Sequence, residues 1–154
     1  MVPRSIKIGF IAGSALAVII LAGFLITRGL SAAKPISGVI IKGHEIRVIA
    51  ATDEKSRTLG LSNRPSLAAD EGMLFVFPGY GQPSFWMKDM EFPLDIIWIK
   101  DDKVEGTATQ LQPEGDSPRD TYQPVSPVNY VLEVNAGLVD KDDIKIGDAV
   151  RFEN

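Results

Sequence analysis

Short apolar runs separated by turn-forming residues dominate the stretch from residue 72 to residue 99. The runs are Met73–Phe77, Phe85–Met87 and Leu94–Ile99, and clusters of Gly and Pro lie between them. Runs of this length with such punctuation are typical of buried strands joined by tight turns. Because Leu94–Ile99 is apolar at every position except Asp95, it predicts a central strand whose two faces are both covered.

The pattern on either side of this stretch predicts further strands and little helix. Gly38–Ile41 and His44–Ala51 flank a Lys-Gly turn and predict a hairpin. Thr52 or Asp53 is placed to cap a short helix at 54–59, which Gly60 would end. The remaining predicted elements are strands at 104–111, 129–134 and 149–152, a helical turn at 140–145 and a long loop at 112–127.

These elements predict one small domain that is mostly β. Seven or eight short strands with one or two short helices, joined by tight turns, favour a compact β-barrel or β-sandwich. About 120 residues are enough to bury one core. The fold class we expect is therefore mostly β, or α+β with a minor helix, preceded by one N-terminal transmembrane helix.

The transmembrane helix is predicted from an apolar run near the N-terminus. Residues 8–26 form 19 consecutive positions without a charge. As a helix they would cover about 28 Å, close to the ~30 Å hydrocarbon core of a bilayer. Arg4 and Lys7 precede the run, which favours a cytoplasmic N-terminus. We expect a single-pass protein of the cell membrane, anchored through residues 8–26, with its domain outside the cytoplasm.

A cleavable signal sequence is the alternative interpretation of the same run. Small residues at 31–33 suit a signal peptidase, and cleavage near Ala33 would release a secreted domain. Under either interpretation the domain is exported. The predicted organisation is a cytoplasmic segment at 1–7, an anchor or signal sequence at 8–26, a linker at 27–37 and an exported β-rich domain at 38–154.

Charge and composition narrow the range of partners. The formal net charge is −4, but with Arg4, Lys7 and Arg28 set aside the rest carries 13 Lys and Arg against 20 Asp and Glu, or −7. Phosphate contacts need clustered cations, so we expect no nucleic-acid partner. The chain has no cysteine and one histidine, His44. The sequence therefore predicts no disulfide, no metal site and no Ser-His-Asp triad.

One group of polar residues lies within the apolar pattern. Asp95 interrupts a hydrophobic strand, where a carboxylate needs a cation or several hydrogen-bond donors, or else becomes protonated. Trp86 and Lys88 are two residues apart and would share one face of a strand. We expect Arg57, Arg64, Trp86, Lys88 and Asp95 to form a ligand-binding pocket. Trp86 would supply an apolar wall, and the cations would bind an anionic or hydroxyl-rich ligand.

Two other interpretations of these residues stay open. In the first, Asp95 is a structural acid neutralised by Arg57 or Lys88, and loss of one partner would cost roughly 3 to 5 kcal/mol. In the second, Asp95 and Glu133 form a carboxylate pair for hydrolysis, which needs a separation of about 5 to 9.5 Å. The sequence shows no nucleophile and base in clear reach of each other. We therefore lean away from an enzyme and expect no cofactor.

Ordered sequence blocks between residues 45 and 150 resemble one known family. The blocks GMLFVF, FWMKDM and FPLDIIWI follow Arg57, Gly60-Leu61 and Arg64, and YVLEVNAG completes the set. Together they are similar to the family named domain of unknown function 192. The resemblance implies a compact β-rich domain, and it implies no established activity.

The function we expect is binding without chemistry. The domain would be anchored at the membrane, outside the cytoplasm, and would bind a small or polymeric envelope ligand through its polar pocket. A structural or protein-interaction domain acting through the 112–127 loop is the alternative of a different class. A carboxylate-dependent hydrolase is the third interpretation.

Overall fold

The computed structural model describes residues 34–154, and the predicted membrane span at 8–26 lies outside them. Two short helices, α1 Glu54–Leu59 and α2 Leu138–Lys141, accompany seven strands in the described range. The strands are β1 Gly38–Ile41, β2 His44–Ala51, β3 Glu71–Gly81, β4 Leu94–Lys100, β5 Lys103–Leu111, β6 Val128–Asn135 and β7 Val150–Glu153. No helix in this part of the chain is long and apolar enough to cross a membrane.

The seven strands form a single curled sheet. Their order is β5-β4-β6-β3-β2-β1-β7, with β2 and β3 parallel and the other neighbours antiparallel. The two outermost strands meet at one corner, where Val104 N donates to Asp148 O at 2.9 Å and Val150 N donates to Asp102 O at 2.7 Å. The prediction of a mostly β domain with minor helix is confirmed. The sheet curls into a half-barrel, and it does not divide into the two sheets of a sandwich.

Both faces of the sheet are buried, as the pattern of β4 predicts. Leu94, Ile96 and Trp98 lie in one hydrophobic cluster, on what we call the α1 face. Ile97 and Ile99 lie in a second cluster on the opposite side, the α2 face. Alternate residues of β4 therefore enter different cores, which is why the strand is apolar almost throughout.

Connecting segments cover the α1 face. Buried side chains from segments 60–70 and 82–93 pack into its cluster; they are Leu61, Leu67, Met87 and Met90. The predicted strand Phe85–Met87 is wrong, because segment 82–93 forms a single isolated β-bridge, between Phe85 and Tyr122. Prolines on both sides of the run, at 83 and 93, lack the N–H groups that a paired strand needs.

The long loop at 112–127 lies against this segment. Phe85 and Tyr122 exchange two backbone hydrogen bonds, both of 2.9 Å, and Glu114 N donates to Met87 O at 3.1 Å. The loop that the sequence predicts is confirmed. Its backbone holds the neighbouring segment, which carries Trp86, in place on the sheet.

The two helices differ in how their ends are fixed. Asp53 caps α1 by accepting a bond of 2.9 Å from Ser56 N, and Gly60 ends the helix with a φ of 53°, as predicted. Helix α2 begins two residues earlier than the predicted turn at 140–145. Gly137, with a φ of 89°, turns the chain just before it.

Gly72 in β3 provides a test of how closely the strands pack. A Cβ atom added there would lie 2.8 Å from Glu133 O and 3.0 Å from Leu132 Cδ1. We expect Gly72→Ala to lower the free energy of unfolding by about 1 to 3 kcal/mol, the usual cost of overpacking. Urea unfolding of the full chain, followed by tryptophan fluorescence, measures this loss.

Gly79→Ala is the matched control for this experiment. Gly79 lies in the same strand, and a Cβ atom there would meet nothing within 4 Å. We expect its unfolding free energy to change by less than about 0.5 kcal/mol. Equal losses in the two variants would show that the tight contact at Gly72 does not govern stability.

Candidate functional site

Asp95 is fully buried on the α2 face of β4. Its Oδ1 accepts a hydrogen bond from Gln110 N at 2.9 Å, and its Oδ2 accepts from Gly137 N at 2.9 Å and Val139 N at 3.0 Å. The last two donors belong to the first turn of α2 and the residue before it. Asp95 therefore caps this helix from a different strand, which suits a negative group because the N-terminus of a helix is positive.

Strand β5 is bulged so that it reaches the same carboxylate. The register of β5 against β4 shifts by one residue between Leu94 and Ile96, directly opposite Asp95. Gln110 takes a φ of 59° in the bulge and aims its N–H at Oδ1. Asp95 thus joins β4, β5 and α2 through backbone donors alone.

The structure separates the residues that the sequence groups into one site. Arg57 and Trp86 line the same pocket, whereas Arg64, Lys88 and Asp95 do not line it. The Lys88 side chain is exposed, and Arg64 is half-buried. The expectation that Arg57 or Lys88 neutralises Asp95 is wrong, because backbone N–H groups take that role. Ligand binding by these five residues stays a prediction.

A cavity of about 220 Å³ opens on the α1 face of the sheet. We call it the Glu133 pocket, after the acid that β6 contributes. Four aromatic side chains line it, two from β3 and two from segment 82–93: Phe75, Phe77, Phe85 and Trp86. Polar lining residues come mainly from α1 and the turn after it, and they are Glu54, Arg57, Thr58, Ser62 and Ser84.

Glu133 is the buried acid of this pocket. The residue is 5% exposed, and its cross-strand neighbours are Met73 and Ile96. Its carboxyl group has no hydrogen-bond or ion-pair partner among residues 34–154, and both oxygens stay accessible from the cavity. Burial raises the pKa of Glu133 from 4.5 to about 8. The group therefore carries its proton at neutral pH.

Arg57 lines the same pocket without pairing with Glu133. Its Nη1 donates to Thr52 O at 2.8 Å and to Val76 O at 3.0 Å. The guanidinium lies over the Phe77 ring, 5.4 Å from the centroid. These contacts hold the cation on its own side of the cavity. Its Nε and Nη2 groups donate to no residue of the described range, so they are available to a ligand.

The outer part of the pocket is apolar and exposed. Trp86 is 47% exposed and Leu59 is 58% exposed, and both line the cavity. Deeper inside, Phe85 meets Phe75 edge to face, with ring centroids 5.0 Å apart. This contact fixes one aromatic wall, while Trp86 leaves a flat surface open to solvent.

The alternative interpretation of Asp95 and Glu133 as a carboxylate pair is wrong. Across the β4–β6 pair, Asp95 lies opposite Val134 and Glu133 lies opposite Ile96. Successive residues of a strand point to opposite faces, so the two acids enter different cores. The alternation in β6 predicted that Glu133 points away from Leu132 and Val134. It did not predict the cavity beside Glu133.

The model of the family named domain of unknown function 192, described as "Uncharacterized ACR", matches residues 38–152. This chain belongs to the DUF192 family. The match covers six strands in full and all but the last residue of β7, so the resemblance noted in the sequence is confirmed. No curated protein matches the chain significantly.

Two solved structures resemble this DUF192 domain. One is a protein of unknown function from Novosphingobium aromaticivorans DSM 12444, with 31% identity, a TM-score of 0.69 and coverage of 79% of this chain and 89% of that one. The other, from Sinorhizobium meliloti 1021, is described provisionally as a transcription regulator. It has 32% identity, a TM-score of 0.69 and coverage of 75% and 92%.

Replacement of Asp95 tests its role in the DUF192 fold. We expect Asp95→Ala to lower the free energy of unfolding by about 3 to 5 kcal/mol, because three N–H groups, one buried and two partly buried, lose their acceptor. Urea unfolding of the full chain measures the loss. Asp116→Ala, at an exposed aspartate, is the control. A loss below about 1 kcal/mol for Asp95→Ala would show that α2 and the β5 bulge are held by other contacts.

Glu133 should make the stability of this DUF192 domain depend on pH. The folded state keeps the proton of Glu133 up to about pH 8, whereas the unfolded chain loses it near the ordinary value of 4.5. Between these values the folded state binds more protons, so its stability falls as the pH rises. We expect the wild type to lose about 1.4 kcal/mol per pH unit relative to Glu133→Gln.

Urea unfolding of both proteins at several pH values between 5 and 8 measures this difference. Gln cannot titrate and has the shape of the protonated acid, so the variant isolates the proton of Glu133. Glu91→Gln replaces an exposed acid and serves as the control. The difference in stability between wild type and Glu91→Gln should not change with pH. A difference between wild type and Glu133→Gln that stays constant with pH would contradict the buried, protonated state.

Proposed function

We propose that this DUF192 domain binds a small polar group, free or at the end of a larger envelope molecule, in the Glu133 pocket. The observation that supports the proposal best is the Glu133 carboxyl group, which is buried, accessible from the cavity and without a partner among residues 34–154. A ligand that enters the cavity can supply the hydrogen bond that no residue of the described range supplies.

The size of the pocket limits what can enter it. Its volume of about 220 Å³ is below the ~300–1,000 Å³ of sites that enclose drug-sized ligands. One small group, or one end of a polymer, is therefore the proposed occupant. The exposed faces of Trp86 and Leu59 offer apolar contact to the part of the ligand that stays outside.

The polar groups of the pocket favour hydroxyl-rich ligands over purely anionic ones. At neutral pH the protonated Glu133 donates its O–H to a ligand oxygen, and Arg57 offers its Nε and Nη2 donors. An anionic group would gain from Arg57, but it would also approach Glu54 and Glu133. The proposal therefore drops the purely anionic part of the expected ligand class and keeps uncharged hydroxyl groups as one kind of occupant.

The position of the domain in the cell is part of the same proposal. The apolar run at 8–26 supports a single-pass membrane anchor with a cytoplasmic N-terminus. The short linker at 27–37 would then keep the domain close to the membrane surface, where envelope molecules are the available ligands. Cleavage near Ala33 would give a secreted domain with the same pocket.

A protein-interaction domain is the second candidate. Val125 in the 112–127 loop is 97% exposed and Ile146 is 74% exposed, and both line a cavity beside strand β5. Exposed apolar residues grouped in this way are typical of interaction surfaces. DNA binding, which a transcription regulator would need, is not favoured by a net charge of −7 outside Arg4, Lys7 and Arg28.

A binding experiment with two blocking variants separates these candidates. Methyl β-D-glucoside serves as the hydroxyl-rich probe, and the indole N–H resonance of Trp86 in the full chain reports binding by NMR. We expect a saturable shift of this resonance. Ser84→Phe places a ring at the Glu133 pocket and should weaken binding at least tenfold, or about 1.4 kcal/mol.

Ser126→Phe is the matched control, because Ser126 lines the cavity beside Val125. We expect it to leave probe binding unchanged. Equal loss in both variants would contradict binding in the Glu133 pocket. A cellular function that Ser126→Phe abolishes and Ser84→Phe preserves would favour the protein-interaction candidate.

A further inference from the structure

We propose that the group entering the Glu133 pocket is an organic cation, an ammonium or guanidinium group on a short chain. This inference rests on the proposed pocket and names the chemical class of its ligand. It follows from three properties of the cavity: an acid without a counter-ion, walls made of aromatic rings and the charge of the groups that line it.

The first property is the missing counter-ion of Glu133. Arg57 is the cation that lines the pocket, but Thr52 O and Val76 O bind its Nη1 group and hold it apart from the acid. A neutral ligand can offer Glu133 only an ordinary hydrogen bond. A cation offers a charge-assisted bond, which is roughly twice as strong, and it lets the buried carboxylate ionise.

The second property is the aromatic lining. The faces of aromatic rings attract cations, and rings grouped around a cavity are a known means of binding ammonium groups. The Phe77 ring already carries a cation, since Arg57 lies 5.4 Å from its centroid. Phe75, Phe85 and Trp86 carry no cation from residues 34–154, and they line the same space as Glu133.

The third property is the balance of charge around Glu133. The charged and titratable side chains that line the pocket are Glu54 and Arg57 from α1 and Glu133 from β6, and β3 and segment 82–93 add none. With Glu133 ionised the pocket carries a net charge of −1, which matches a single cation. The acidic character of the domain as a whole would also attract cations from a distance.

The direction of the pH dependence distinguishes a cation from a neutral ligand. Burial raises the pKa of Glu133 to about 8, so a bound cation must displace a proton below that pH. Its affinity should therefore rise about tenfold per pH unit up to pH 8. A neutral ligand that accepts the Glu133 O–H should bind equally well below pH 8 and more weakly above it.

NMR titration of the full chain with three probes tests the inference. The probes are n-butylammonium, n-butanol as its uncharged counterpart and methyl β-D-glucoside, each titrated at pH 6, 7 and 8 while the Trp86 indole resonance is followed. We expect n-butylammonium to bind at least tenfold more tightly than n-butanol at pH 8, with affinity rising between pH 6 and 8. Glu133→Gln should remove both effects, and Glu91→Gln should preserve them.

Every other outcome contradicts the cation, the pocket or both. Binding of n-butanol or the glucoside with no advantage for n-butylammonium overturns the cation and leaves the proposed pocket standing. No response to any probe, in a chain whose circular dichroism shows it folded, overturns both. If Glu133→Gln does not fold, the pH dependence of the wild type tests the inference by itself. An affinity for n-butylammonium that stays constant or falls between pH 6 and 8 overturns the inference.

Discussion

Burial of both faces of a single sheet is the constraint on which this structure depends. Strands β4 and β6 lie side by side in that sheet, between β5 and β3, and a hydrophobic cluster covers each face. Each carries one acid, Asp95 at 0% and Glu133 at 5% exposure. A carboxyl group in such a position needs partners or becomes protonated. Asp95 has three backbone donors, whereas Glu133 has no partner in the described range and its pKa is raised.

Asp95 is satisfied entirely from within the fold. Its three donors come from the β5 bulge and from the start of α2, so one side chain accounts for an irregular strand and for the position of a four-residue helix. Glu133 lies on the other face, which is covered by α1 and two long connecting segments. These segments do not pack closely against each other everywhere, and the cavity that remains is lined by Glu133.

Sequence patterns predicted the strands well because hydrophobic alternation is local. Leu94–Ile99 was identified as a doubly covered strand, and Asp95 as a buried acid, from their immediate neighbours. The partners of Asp95 could not be predicted, since they are backbone groups 15 to 44 residues away. The grouping of Trp86 with Lys88 assumed the alternation of a strand. Their segment is a loop, so spacing gave no information about its side-chain directions.

The contrast between the two acids also bears on why Glu133 is present. An apolar residue at position 133 would pack against Met73 and Ile96 without the desolvation that raises the pKa of the acid. The sheet therefore gains nothing from a carboxyl group at this point. Proteins depart from locally consistent sequences mainly where function requires it. Glu133 stabilises no contact of the described fold and lies in a cavity with exposed aromatic surface, and the proposed binding role rests on this combination.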